Sequence, residues 1–144
     1  KHFGFYKALF DFLIAPPPVA PDLIFLGQSM KTGKHQVAFH FESGYEKTID
    51  LTPKEYNTYL SIAHKSYNER PGLPVGTDRG LQSVISHIKS KITKGVPDLT
   101  YAEQYKPERN GNLYIIRLDH TKVFVRHRNL SNDYEPCDIP ITDI

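Results

Sequence analysis

Ile49-Asp50-Leu51-Thr52-Pro53-Lys54-Glu55-Tyr56 is the stretch on which the reading of this chain turns, because it joins the end of a strand pattern to a helix start. Thr52 can cap the helix. Pro53 suits the first helical position, where its missing N–H would have had no partner, and Glu55 sits where its carboxylate can reach back to the cap. Tyr56, Tyr59, Leu60, Ala63 and Tyr67 follow at the spacing of one helix face. Upstream, Val37, Phe39 and Phe41 alternate with Ala38 and His40, the period-two pattern of a half-buried strand. Ser43-Gly44 supplies a turn, and Lys47–Leu51 returns with Ile49 and Leu51 facing in, so the passage predicts a hairpin feeding a capped helix.

Downstream, Pro71, Gly72, Pro74 and Gly76 leave no room for a full helix between Asn68 and Gly76. Thr77 or Asp78 then caps a second helix predicted to run to about Lys91, with Leu81, Val84, Ile85, Ile88 and Ile92 on its buried stripe. Gly95 and Pro97 end it. Leu99–Tyr105 and Leu113–Leu118 read as paired strands across the loop Lys106–Asn112, in which Asn110-Gly111 is a strong hairpin signal. Lys122–Arg126 offers a further strand, and the acidic, proline-containing tail from Leu130 reads as irregular.

Ahead of these elements, Phe3–Ile14 places Phe3, Tyr6, Leu9, Phe10 and Leu13 at helical spacing. It is too short to span a bilayer and lacks the Lys/Arg-rich face of a membrane-surface helix. We therefore expect it to pack on the body or on a twin subunit, the route to a homodimer, with no membrane partner. Ala15–Pro21 (APPPVAP) is a stiff polyproline spacer, Asp22–Leu26 a short buried strand, and Gln28–Lys34 a loop. The expected organisation is an α+β chain. Residues 1–34 form a helix-strand appendage, and residues 35–144 a winged-helix-like domain with an N-terminal β-hairpin, two main helices and a C-terminal β-hairpin wing. Lys1 opens directly into apolar sequence, so we expect a piece of a longer protein.

That order of elements, together with Ile49–Tyr56, resembles the DNA-binding domain of OmpR-type response regulators, which enters its first helix through such a "-DLTPKE(F/Y)-" passage. By this resemblance Leu81–Lys91 is similar to the recognition helix and Asn110–Leu118 to the wing, over roughly residues 36–118. The chain departs from the family in having no room for its middle helix between Asn68 and Gly76. A narrower likeness, carried by Gly4-Phe5-Tyr6 and Leu23–Leu26, is to the C-terminal winged-helix domain of some CRISPR-associated sensors with a CARF domain. That likeness implies that residues 1–34 close a preceding sensor domain, with any small-molecule or cyclic-nucleotide ligand bound upstream of Lys1.

The formal net charge of +2 is too small to argue for nucleic acid; only its distribution can. Opposite the apolar stripe of the second helix lie Arg79, Gln82, Ser83, Ser86, His87, Lys89 and Ser90, with no acidic side chain. Gln and Arg make bidentate contacts to base edges, while Ser and Lys suit phosphates. The alternative is an ordinary solvated face. Lys106, Arg109, Arg117, Lys122, Arg126 and Arg128 form a second basic region, opposed locally by Glu108 and Asp119; its plain alternative is scattered cations that keep the domain soluble. Tyr101, Tyr105 and Tyr114 suit hairpin or core packing better than base stacking.

Enzyme signals are poor. A single cysteine, Cys137, excludes an internal disulfide and a cysteine-cluster zinc site, and fits a cytoplasmic setting. His35 and His40 fall on opposite faces of one strand. Asp98, Glu103 and Lys106 have the residue types of a nuclease carboxylate–lysine set without its spacing, and no phosphate-binding glycine loop is present. The expected function is duplex DNA binding by a transcriptional regulator or sensor output domain, with no catalytic residues, metal or cofactor. The rival is a protein-interaction or dimerisation module that kept the shape and lost the DNA.

Overall fold

The computed structural model describes residues 20–68, 72–76, 79–99, 101–127 and 137–144. The expected helix over Phe3–Ile14, the start of the proline spacer, the cap at Thr77 or Asp78, Arg128 and the tail from Leu130 to Pro136 lie outside them. The described part is a mixed α+β fold. Its main sheet has five strands in the order β3-β2-β1-β7-β8, formed by β1 (Asp22–Gln28), β2 (His35–His40), β3 (Glu46–Leu51), β7 (Val123–His127) and β8 (Cys137–Pro140). Helices α1 (Pro53–Tyr67) and α2 (Arg79–Gly95) and a short α3 (Ala102–Tyr105) come between β3 and β7 in the chain. A second sheet, β4-β6-β5, joins β4 (Leu73–Pro74), β5 (Glu108–Asn110) and β6 (Leu113–Ile115).

The hairpin–helix passage forms as its residues dictate. β2 and β3 pair antiparallel with Val37 opposite Ile49 and His35 opposite Leu51, which puts their apolar side chains on one face. Thr52 then closes a capping box: its hydroxyl accepts from the Glu55 N–H at 3.2 Å, and its own N–H donates to Glu55 Oε1 at 2.9 Å. Tyr56, Tyr59, Ile62 and Ala63 are buried against Phe25 and its neighbours, with the Phe25 and Tyr59 rings edge-on at 5.1 Å. Buried tyrosine hydroxyls need acceptors, and three tyrosines donate to backbone carbonyls. Tyr59 donates to Tyr105 and Tyr67 to Leu118, tying α1 to α3 and to the run after β6, while Tyr105 donates to Pro21 and ties α3 to the entrance of β1.

Four expectations are corrected. Asp22–Gln28, expected in an appendage ending at residue 34, is the central strand of the main sheet, antiparallel to β2 and parallel to β7, so the expected boundary falls inside a β-hairpin. Leu99–Tyr105 is not a strand: Tyr101 turns the backbone into the left-handed region (φ 56°) and Ala102–Tyr105 coils into one helical turn. That turn sinks Tyr105 into the core, which an exposed hairpin strand would not do. The expected long basic loop is instead a tight hairpin, with Asn110 paired to Leu113 and Gly111 taking the positive φ (63°) needed at the first central position of its two-residue turn. Finally, the tail expected to be irregular supplies a strand to the main sheet, beside the expected strand at Val123–His127. The tail's Cys137–Pro140 pairs antiparallel with it at the sheet edge, where a proline is tolerated.

Candidate nucleic-acid interface

Helix α2 buries Val84, Ile85, Ile88 and Ile92, with Leu81 partly covered, as its periodicity predicts. Its C-terminal turn is pressed onto β3. A Cβ built at Gly95 would meet Cγ2 of Ile49 at 2.4 Å, so glycine there permits the approach as well as ending the helix. On the opposite side Gln82, Ser83, Ser86, His87 and Ser90 are exposed and Lys89 is half-buried. Arg79 is the first residue of α2, and its side chain is outside the described set. Thr93 and Lys94 extend the exposed side by another turn. They fall beyond the expected end at about Lys91, although Gly95, read as a helix breaker, already allowed the helix to run past them.

The outward side is held from beneath by Glu55, a carboxylate buried to 4% exposure. Lys91 Nζ lies 2.5 Å from its Oε1 and His87 Nδ1 3.7 Å from its Oε2. Burial pushes the Glu55 carboxyl up, but the hydrogen bonds from Lys91 and the Thr52 N–H, with the charges of Lys91 and His87, outweigh it and leave it below the ordinary glutamate range. The Glu55 carboxylate, which completes the α1 capping box, thus also ties α1 to α2. Its sequence position showed only the first of these jobs, since Lys91 lies 36 residues away.

The second basic region does not assemble as expected. Arg126 reaches across the sheet, donating to Glu46 at 2.6 Å and to Asp138 at 2.8 Å, and its side chain keeps 17% exposure. It is a structural cation, not an available one. Lys106, at 14% exposure, lies 3.3 Å from Glu103 Oε1, and Arg117 donates to Glu108 at 2.6 Å. Lys122 bonds the Ala20 carbonyl at 2.8 Å and neighbours Asp22 at 3.9 Å. Arg109 is exposed on the β5–β6 hairpin, its Nε donating to the Gly111 carbonyl at 3.1 Å. Of the tyrosines, Tyr105 and Tyr114 are buried and Tyr101 is exposed.

His35 and His40 do face opposite sides: the His35 ring lies 5.3 Å from that of Tyr56, and His40 Nδ1 lies 3.1 Å from Glu46. Among the described residues, no group of three or more His, Cys, Asp or Glu is placed to hold a metal ion. No described helix is long and apolar enough to cross a membrane. No protein-family model, curated protein or solved structure matches the chain.

Proposed function

We propose that this domain binds duplex DNA through the outer side of α2, as the output domain of a cytoplasmic regulator or sensor. The observation that carries the reading is a core-anchored helix with no Asp or Glu anywhere in it, whose exposed side presents Gln82, Ser83, Ser86, His87 and Ser90. Hydrogen-bonding side chains on a rigid helix are what reading base edges requires. The wiring supports a winged-helix-like arrangement: between α1 and α2 the short β4 pairs with β6, and β6 pairs with β5 as a hairpin. Arg109 on that hairpin is the cation placed to touch a phosphate, and Lys89 and Lys94 are those on α2.

The test is a fluorescence-anisotropy titration of duplex DNA with the full chain at two salt concentrations. Few free cations predict a shallow salt dependence, roughly 0.9 log unit of affinity per log unit of salt for each phosphate engaged. Gln82→Ala or Arg79→Ala relaxes sequence choice, whereas Arg109→Ala weakens all sequences alike. Affinity unchanged in all three variants overturns the reading.

One observation favours the protein-interaction module instead. Lys106, Arg117 and Arg126, half of the expected second basic region, are matched by carboxylates of the same chain. Matched charge gives little attraction to a polyanion. A sizing experiment beside the titration separates the two: self-association without DNA binding belongs to the module.

A further inference from the structure

The sheet face that α1 and α2 cover continues past the end of α2. Phe39 pairs with Lys47 in the β2–β3 register, and beyond it the Phe41 N–H donates to the Tyr45 carbonyl at 2.8 Å. Side chains alternate along a strand, so Phe39, Phe41, Tyr45 and Lys47 share one face. Phe39 is fully buried in the core, whereas Tyr45 keeps 59% exposure. The change comes where α2 stops. Pro97 cannot continue the helix, and the buried Val96 and Leu99 leave Pro97 and Asp98 exposed between them.

What results is an open cleft of about 260 Å³, lined by Phe41, Tyr45 and Lys47 from the sheet and by Gly95, Pro97 and Asp98 from the end of α2. It is held in shape from behind. Gly95 rests on Ile49, the Val96 N–H donates to the Ile92 carbonyl at 3.0 Å, and the Leu99 N–H donates to that of Val96 at 3.1 Å. Its volume lies just below the roughly 300–1,000 Å³ of sites for drug-sized molecules, which suits a single flat ring system. The Phe41 and Tyr45 rings lie 5.9 Å apart and tilted by 35°. Among the described residues, neither Lys47 nor Asp98 takes part in an ion pair or a side-chain hydrogen bond, so both charges are open to a ligand.

We propose that this cleft binds a guanine nucleotide, its base against Phe41 and Tyr45 and its phosphate on Lys47. Aromatic rings accept the flat face of any base, so they do not choose among them. Asp98 does. An ionised carboxylate only accepts hydrogen bonds, and it accepts them through two oxygens. Guanine carries two adjacent donors on its pairing edge, the ring N–H and the exocyclic amino group, whereas adenine, cytosine and thymine each set an acceptor beside the donor. The carbonyl end of α2 adds partial negative charge on the same side. An arginine side chain offers a similar fork of donors, but Lys47 repels it and attracts a phosphate instead. A free nucleotide and an unpaired guanine in a strand share this chemistry. The inference does not depend on duplex binding by the outer side of α2.

Isothermal titration calorimetry of the full chain with guanosine monophosphate, and separately with adenosine monophosphate, tests it. The guanine nucleotide is expected to bind about tenfold more tightly, the scale of one good bidentate pair. Asp98→Asn, which turns one acceptor into a donor, should abolish that preference. Tyr45→Ala should weaken both nucleotides, and Lys47→Ala should weaken guanosine monophosphate but not guanosine. All three positions are exposed, and an unchanged circular-dichroism spectrum checks that each variant keeps the fold. A thymidine heptanucleotide with one central guanosine, set against one without, separates the two sources. Tighter binding than the mononucleotide assigns the site to a strand, and weaker binding assigns it to the free nucleotide. Four results overturn the proposal: no binding of either guanine ligand, equal affinity for guanine and adenine, an unaltered preference in Asp98→Asn, or tighter binding of N-acetylarginine amide than of either guanine ligand.

Discussion

Along the outer side of α2, Gln82, Ser83, Ser86 and Ser90 stand in water. At one end of the sheet's other face, Arg126 is enclosed by Glu46 and Asp138, and Glu46 also takes His40. Both regions looked, in sequence, like polar and basic surface for a partner. They differ in what lies across from each side chain. In the sheet, the register brings Asp138 opposite Arg126 and Glu46 opposite His40, so the charges satisfy one another before any partner arrives. On α2, the neighbours one turn away are serines, glutamine and lysines, and the one carboxylate within reach comes from below, through Glu55. A cation's availability is therefore set by strand register and helix packing, not by local composition.

The sharpest way to break this comparison is Arg126→Ala. It leaves Glu46 and Asp138 partly buried without their cation, and about 1–3 kcal/mol of stability is expected to go. Chemical denaturation measures it, while DNA affinity in the refolded variant should not change. Next comes Glu55→Ala, which removes one of the two hydrogen bonds of the α1 capping box and the tie to α2 together, at about 2 kcal/mol. Because that tie orients α2, this variant should lose stability and alter partner binding as well, unlike Arg126→Ala.

Both carboxylates also predict an acid limit. Glu46 lies below the ordinary range because Arg126 hydrogen-bonds it, against the opposing push of burial, and Glu55 is net lowered as described. A folded-state pKa below the unfolded one means that the stabilisation is complete above the ordinary value near 4.5 and is lost as pH falls through the folded value. Asp22, pushed up by burial, contributes with the opposite sign. The melting temperature should fall on acidification below about pH 4.5, and Glu55→Gln should remove part of that fall. An unchanged profile in Glu55→Gln would contradict the role given to the Lys91 contact.

Gly95→Ala should cost about 1–2 kcal/mol despite alanine's better helix propensity, because the new methyl must displace the β-branched Ile49, itself 6% exposed. Thermal melting reads it directly. The smallest effect belongs to Ser86→Ala and Gln82→Ala, expected within about 0.5 kcal/mol of the parent. A larger loss would mean that the α2 side chains are used internally and would erase the contrast with Arg126.

Local rules made a good deal of this molecule legible. The β2–β3 hairpin, the Thr52–Glu55 box and the buried stripe of α2 depend on residues near one another in sequence, so periodicity and capping chemistry reach them. The sheet order was not legible. Leu23–Leu26 and Val123–Val125 are short apolar runs that announce burial but name no partner, and nothing in either indicates that they lie side by side in parallel. Ala102–Tyr105 was misread because tyrosines at 101 and 105 imitate an alternating strand, whereas only Tyr105 is wanted in the core. In the candidate site, the exposed residues of α2 followed from the helical pattern. The neutralisation of Arg126 and Lys106 did not, since Glu46 is far away in sequence and the Glu103 contact needed the unforeseen α3.

The parallel pairing of Leu23–Phe25 with Val123–Val125 has a consequence for how the chain acquires its shape. Roughly a hundred residues separate the two, and joining such distant segments carries a loop-closure cost that local hairpins avoid. During synthesis β1 and β2 emerge early and can zip together at once, but the other edge of β1 must wait until nearly all of this stretch has left the ribosome. Until then it is an open hydrogen-bonding rim, the kind of surface on which neighbouring nascent chains stick.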